Sequence, residues 1–297
     1  MIFATCAALA VLLADPSGGK RIALTEDCHA AADQPAVVFR HQYRLPVIIE
    51  AGPHKVQGVQ IMKAGNISWR GGQVEAPCQA ADCKPGPPQY GFRIVDASNV
   101  MIEGVHLTAA RKAIVLDRAI SVTLRHSRCN GAVEDCLIAN ASQQIEVTHN
   151  EFGPFQFRPT QCTIGSSVTP GLSKRDCIAR GGTWKDGDHP DLAQLRGGTK
   201  RVLIAFNRAV TTGQGFTQMD TTGDAPLAMV QILANDLRAG RHGLTLGACT
   251  ECLISRNSLV TAVAGWRAVI IPGQARACAN RVPSGGPGRD PCSTSPQ

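Results

Sequence analysis

Ile145-Glu146-Val147-Thr148-His149-Asn150 alternates apolar and polar side chains and then turns on an asparagine. The same order of strand, small polar corner and further apolar pair recurs at 67–72, 122–127, 202–207, 230–235 and 253–257, and a related segment spans 100–105. Val100, Val122 and Ile145 begin successive copies at intervals of 22 and 23 residues (122 − 100, 145 − 122). A repeat of this length in β-prone sequence predicts a parallel β-solenoid, because one coil cannot bury its apolar face until a neighbour stacks on it.

A second strand family lies between these copies, at 92–95, 114–117, 136–139, 192–195, 216–219, 244–246 and 269–271. A third, very short strand follows the corner, as in Glu151-Phe152 and Ser258-Leu259-Val260. Three strands per turn of chain give coils of about 22–28 residues. Asn150, Asn207, Asn235 and Asn257 fall at the same place in successive coils. Asparagine tolerates left-handed backbone, and its amide can both donate and accept, so a stacked ladder of carboxamides is expected at that corner.

On these repeats the chain resembles the right-handed parallel β-helix proteins: pectate lyases, polygalacturonases, mannuronan epimerases and phage tailspikes. The resemblance covers about residues 45–275 as a pattern and implies the handedness, which the period alone leaves open. Read this way, residues 45–276 form the all-β solenoid, with insertions at 76–89 and 153–187 that wall one side of a groove. Residues 20–44 are expected to cap its open end, in a form that could be helical, and 277–297 to form an extended tail.

The chain of 297 residues is 43% hydrophobic but only 4% aromatic, which suits a thin core of Val, Ile, Leu and Ala. A formal net charge of +7 favours an acidic partner. Basic residues are scattered, without runs or interleaved aromatics, so nucleic acid is not expected and an anionic polysaccharide, bound by a monomer, is. Residues 1–14 are almost wholly apolar, with small residues near Ala10 and Ala14 ahead of Asp15-Pro16-Ser17-Gly18-Gly19. They resemble a secretory signal, expected over 1–19 and too short to span a membrane; the alternative is an apolar strand or helix of the mature domain.

Twelve cysteines fit an exported protein, secreted or periplasmic. Close pairs stand at Cys78 and Cys83, Cys129 and Cys136, Cys162 and Cys177, Cys249 and Cys252, and Cys278 and Cys292, each in or beside a loop. Cys6 would leave with the signal, and Cys28 would be left odd. Zinc-finger spacing is absent, so disulfides are expected in preference to metal.

The chemistry-bearing stretch is Asp186-Gly187-Asp188-His189-Pro190-Asp191-Leu192-Ala193-Gln194-Leu195-Arg196. Alternation turns Ala193 and Leu195 to the core and Leu192, Gln194 and Arg196 outward. In the next coil Thr217 and Met219 are expected inward, with Phe216, Gln218 and Asp220 outward, and in the one after Leu244 and Leu246 inward. Gln194, Gln218 and Thr245 then form one column, and Arg196 lies beside Asp220. Asp191 and His242 stand at strand entrances two coils apart, roughly 10 Å.

Such a groove suits an acidic glycan. Removing the proton next to a uronate carboxylate needs a base and a cation or proton donor for the resulting anion, after which β-elimination or epimerisation follows. His242 or His189 could be the base, and Arg196, Arg241 or a calcium ion among Asp186, Asp188 and Asp191 could neutralise the carboxylate. Asp191 and Asp220 complete the candidate catalytic set, with Gln194, Gln218, Arg241, Phe216 and Thr245 as candidate substrate contacts. Each has a structural alternative: a loop cap for His189, turn chemistry for the aspartates, an amide ladder for the glutamines. His126 and His149 flank the corner ladder and read as surface residues.

Arg241-His242-Gly243-Leu244 is similar to the His-Gly motif of polygalacturonases, but their paired aspartates are replaced by Gln218 and a lone Asp220. Asp188-His189-Pro190-Asp191 holds the residues of the mannuronan epimerase signature in another order. Of pectate lyase motifs only Pro272 and Arg276 match loosely. The expected function is therefore a carbohydrate-active protein working by lyase or C5-epimerase chemistry, with a polygalacturonase-like hydrolase or a non-catalytic glycan binder as alternatives.

Overall fold

The computed structural model describes every residue except 31–33, 78–88, 109, 131–133, 154–160, 170–172, 186–190, 212, 219–224, 241–242, 247–248, 262–268, 271–275 and 283–297. Each coil lays one strand into a nine-stranded sheet and its remaining strands into an 18-stranded sheet. The smaller sheet is parallel throughout. It runs from Val37–Phe39 through Val59–Met62, Tyr90–Val95, Lys112–Asp117, Asp135–Asn140, Asp191–Leu195, Gln214–Gln218 and Leu244–Thr245 to Val269–Ile270. The repeat read from sequence sits in the larger sheet, where Val122 pairs with Val100 on one side and Ile145 on the other.

Identical positions of successive coils stack, so apolar residues form files along the solenoid. Phe92, Ile114, Leu137, Ala193, Phe216 and Leu244 make one such file, and all are essentially unexposed. Trp69 meets Phe92 edge to face at 5.7 Å. Phe216 thus faces inward and Thr217 outward, the reverse of the alternation expected from sequence. Leu192 is also buried in the core beside Ala193. Two consecutive residues are buried at the strand entrance, as also in Ala113 and Ile114, although the outward expectation holds for Gln194 beyond them.

The corners explain the asparagines. His126, His149, Phe206, Ala234, Arg256 and Ala279 occupy one column at φ of 50, 56, 58, 51, 59 and 55°, each followed by Ser127 or a buried or ladder residue. Asn150, Asn207, Asn235, Asn257 and Asn280 stack behind them. From Asn207 on, each side-chain carbonyl accepts both the backbone N–H and the amide of the rung before it, at 2.9–3.0 Å, while that of Asn150 accepts the Ser127 N–H. Each amide also donates to a carbonyl of the preceding coil, as Asn207 does to Val147. The expected ladder is present, with Asn280 as a further rung.

At the first end, Ile2–Ala4 pairs in parallel with Lys20–Leu24, and helix α1, Cys6–Leu13, lies over the core with Leu9 and Leu13 buried. Tyr43 Oη donates to the Leu13 carbonyl, and Cys6 is bridged to Cys28. The segment expected as a leader is thus folded here as strand and cap helix, and it supplies the partner Cys28 lacked in sequence. Residues 20–44 hold strands rather than a helix among those described. Cys129–Cys136, Cys162–Cys177 and Cys249–Cys252 are bridged as expected. Cys278 is disulfide-bonded, while its expected partner Cys292, and both Cys78 and Cys83, lie outside the described residues.

Both insertions open just before a strand of the nine-stranded sheet. The second carries a three-stranded antiparallel sheet, Gln161–Ile164 between Ser167–Thr169 and Thr183–Lys185, and helix α2, Lys174–Ala179, tied by Cys162–Cys177.

Candidate functional site

Three columns run across the outer face of the nine-stranded sheet. At the strand entrances, Tyr90, Lys112, Asp135, Asp191 and Gln214 follow one another. In mid-strand the order is Gln60, Arg93, Val115, Ile138, Gln194, Thr217 and Thr245. At the exits Val95, Asp117 and Asn140 line up, and the Arg196 N–H donates to the Ala139 carbonyl one coil away. The sequence column of Gln194, Gln218 and Thr245 is corrected to Gln194, Thr217 and Thr245, with Gln218 opposite Leu195.

Asp135 and Asp191 are neighbours on adjacent strands and almost fully buried, at 5% and 3% exposure. Asp191 Oδ2 accepts from Gln194 Nε2 at 3.1 Å and from Thr217 Oγ1 at 2.9 Å. Gln194 Oε1 in turn accepts from Arg196 at 2.7 and 3.0 Å. Burial pushes the Asp135 carboxyl up to about 8, the Asp191 charge and Glu134 add to the rise, and Lys112 and the Asp191 N–H oppose it. Asp135 therefore holds its proton near neutrality, beside Asp191 on the adjacent strand.

A cavity of about 380 Å³ on the same face is lined among others by Tyr90, Arg93, Lys112, Asp117, Asn140 and Arg196; Lys112, the register neighbour of Asp135, is in its lining, but neither carboxyl of the pair is. Three cations converge on it. Asp117, the carboxylate in the lining, is engaged by Arg118 at 2.8 and 3.0 Å and by Asn140 at 3.1 Å. Lys112 Nζ also lies 3.6 Å from Glu134, which Arg111 pairs as well. Another hollow of about 300 Å³, between α1 and the edge strand Val37–Phe39, is lined largely by apolar residues such as Leu9 and Leu13 and lacks comparable convergence of charge.

Of the sequence candidates, the structure brings Asp191, Gln194 and Arg196 together. Phe216 is core, so it is withdrawn as a substrate contact. Thr245 stands in the mid-strand column with its Oγ1 buried and without a hydrogen-bond partner among the described residues. His242, His189, Asp220, Arg241, Asp186 and Asp188 lie outside the described residues, as does the Gln218 side chain. Among the described residues no group of three His, Cys, Asp or Glu could hold a metal. Asp135, Lys112, Arg93 and Thr217 were not nominated. The signal for the first two was present, since Lys112-Ala113-Ile114, Asp135-Cys136-Leu137 and Asp191-Leu192-Ala193 each place a charge before two small or apolar core residues.

An alginate lyase from a Paenibacillus species superposes with a TM-score of 0.57 at 12% identity, covering 96% of each chain. The chain is a right-handed parallel β-helix. A polygalacturonase from Erwinia carotovora ssp. carotovora shares the fold at a TM-score of 0.50 and 12% identity, covering 93% of this chain and 71% of that one. Identity this low ties the three proteins by fold alone. No family model matches the sequence, and neither does any curated protein.

Proposed function

We propose that this β-helix binds an acidic polysaccharide along its nine-stranded sheet and acts on it by lyase or C5-epimerase chemistry. The observation that carries the reading is the convergence of Arg93, Lys112 and Arg196 on one cavity, with the protonated Asp135 next to Lys112 in the strand register. Guanidinium and ammonium groups offset the charge that builds on a uronate carboxylate when its neighbouring C–H is deprotonated. In β-elimination a base takes the C5 proton, the C4–C5 double bond forms, and the C4–oxygen bond breaks with its electron pair going to oxygen. That oxygen receives a proton. In epimerisation the C5 proton is removed from one face and another returned to the opposite face.

Asp135 would supply the proton, and Asp191, held in place by Gln194 and Thr217, would orient the neighbouring groups; His242 and His189 stay the candidate bases. The alginate lyase neighbour is consistent with this choice. A second reading, a polygalacturonase-like hydrolase, is favoured by the presence of two neighbouring carboxyl residues, Asp135 and Asp191, on adjacent strands. The disulfides fit a secreted or periplasmic setting, and no described helix is long and apolar enough to cross a membrane. Charge reversal tests the binding step. Arg93→Glu with Lys112→Glu is expected to weaken binding to polygalacturonate or alginate at least about tenfold while sparing the folding midpoint; undiminished binding would refute the groove.

A further inference from the structure

The larger sheet carries a second feature at the corner column. His126, His149 and Phe206 stack as parallel rings, with centroids 5.2 and 5.1 Å apart and planes inclined by 29° and 23°. All three sit at left-handed φ, where glycine would be free of strain and where Gly71 and Gly104 stand in earlier coils. Phe206 is nonetheless 58% exposed. A bulky ring kept both exposed and strained contributes little to folding, which points to a use at the surface.

The stack ends in a gap. The residue after Phe206 in the column is Ala234, with no ring, and the one after that is the exposed Arg256, as the bonds Phe206 N–H to Leu233, Ala234 N–H to Ser255 and Arg256 N–H to Cys278 establish. Rungs are about 4.8 Å apart, so Phe206 and Arg256 flank the Ala234 rung at roughly twice that distance. One flat ring would continue the existing stack there at its own spacing. Its face would lie on Phe206, and Arg256 would meet a negative group on it.

Resting on the acidic-glycan reading above, we propose that the gap over Ala234 is a secondary binding site for a single uronate ring, stacked on Phe206 with its carboxylate on Arg256. The apolar C–H face of a pyranose suits an aromatic face, and the guanidinium selects the acid over a neutral sugar. Because the site lies on the larger sheet rather than over the groove, one long polymer chain or two could be held at once, raising avidity without altering the groove.

The test is native affinity electrophoresis of the full chain through polygalacturonate, alginate or a neutral glucan, in the Arg93→Glu, Lys112→Glu background that silences the groove. Retardation by an acidic polymer is expected to persist there and to fall about fivefold on adding Phe206→Gly or Arg256→Gln. Phe206→Gly removes strain with the ring, so its thermal midpoint should match or exceed that of the parent, which separates lost binding from lost fold. Tri-galacturonate should also shift the His149 ring proton resonances in the parent and not in Phe206→Gly. If the groove-silenced protein is not retarded, or Phe206→Gly changes nothing, the corner site is refuted while the groove reading stands. If the unmodified protein is retarded by no acidic polymer, both fail together.

Discussion

Asn207→Ala tests the physical basis of the coil stack. Asn207 is 2% exposed and occupies four hydrogen bonds: its carbonyl accepts from the Asn150 N–H and amide, and its amide donates to Val147 and Asn235. Alanine leaves the Asn150 N–H with no acceptor, and an orphaned buried donor costs about 1–3 kcal/mol. Loss of the remaining bonds adds about 1 kcal/mol each, less the part recovered by Asn150, whose amide keeps the Leu124 carbonyl. The total is about 3–5 kcal/mol. Asn280→Ala, at a half-buried end rung, should cost about 1–2 kcal/mol by the same count. Asn207→Asp keeps the acceptors but turns an anion towards two carbonyl oxygens, so it should be no better than alanine. Urea unfolding followed by tryptophan fluorescence and far-ultraviolet dichroism reads these differences. If Asn207→Ala lies within about 0.5 kcal/mol of the parent, the ladder is incidental to stability.

Three further expectations follow from the core, the carboxyl pair and the cap. Phe216→Ala should destabilise by about 3–5 kcal/mol, as an emptied core site does, whereas the outward placement read from alternation predicts almost no change in thermal midpoint. Asp135 has its carboxyl raised from 3.8 to about 8, so the folded state holds a proton that the unfolded chain releases between those values. Its stabilising contribution is complete below pH 3.8 and is lost as pH rises towards 8. Stability measured across that window should therefore fall with pH in the parent and flatten in Asp135→Asn; an unchanged slope would contradict the protonated carboxyl. Peptide mapping without reduction should recover Cys6 joined to Cys28; Cys28 found with another partner would remove α1 as the cap.

The fold is legible because stacking forces one pattern on every coil. The spacing of Val100, Val122 and Ile145 is the register seen between their strands, and the corner asparagines mark the ladder. The site is less legible. The register between coils is not visible in alternation alone, so the 216–218 strand is read one residue out of phase with 193–195, which reverses Phe216 and Thr217. Asp135 escapes notice because the residue beside it, Asp191, is 56 residues away (191 − 135), a relation fixed by the length of the insertion between coils, whereas Lys112 lies one plain repeat from it. Cys6 pairs with Cys28 only because the apolar start of the chain folds over the first coil.

The most direct measurement is incubation of the purified protein with polygalacturonate and alginate, with and without calcium. Absorbance of an unsaturated product, reducing ends, and exchange of the C5 hydrogen with deuterated solvent are recorded together. The account predicts unsaturated product, or C5 exchange without cleavage, in the parent and its loss in Arg196→Ala and Asp135→Asn, with His126→Ala unaffected. Reducing ends without unsaturation or exchange would transfer the pair to hydrolysis, and no turnover of either polymer would contradict the proposed chemistry.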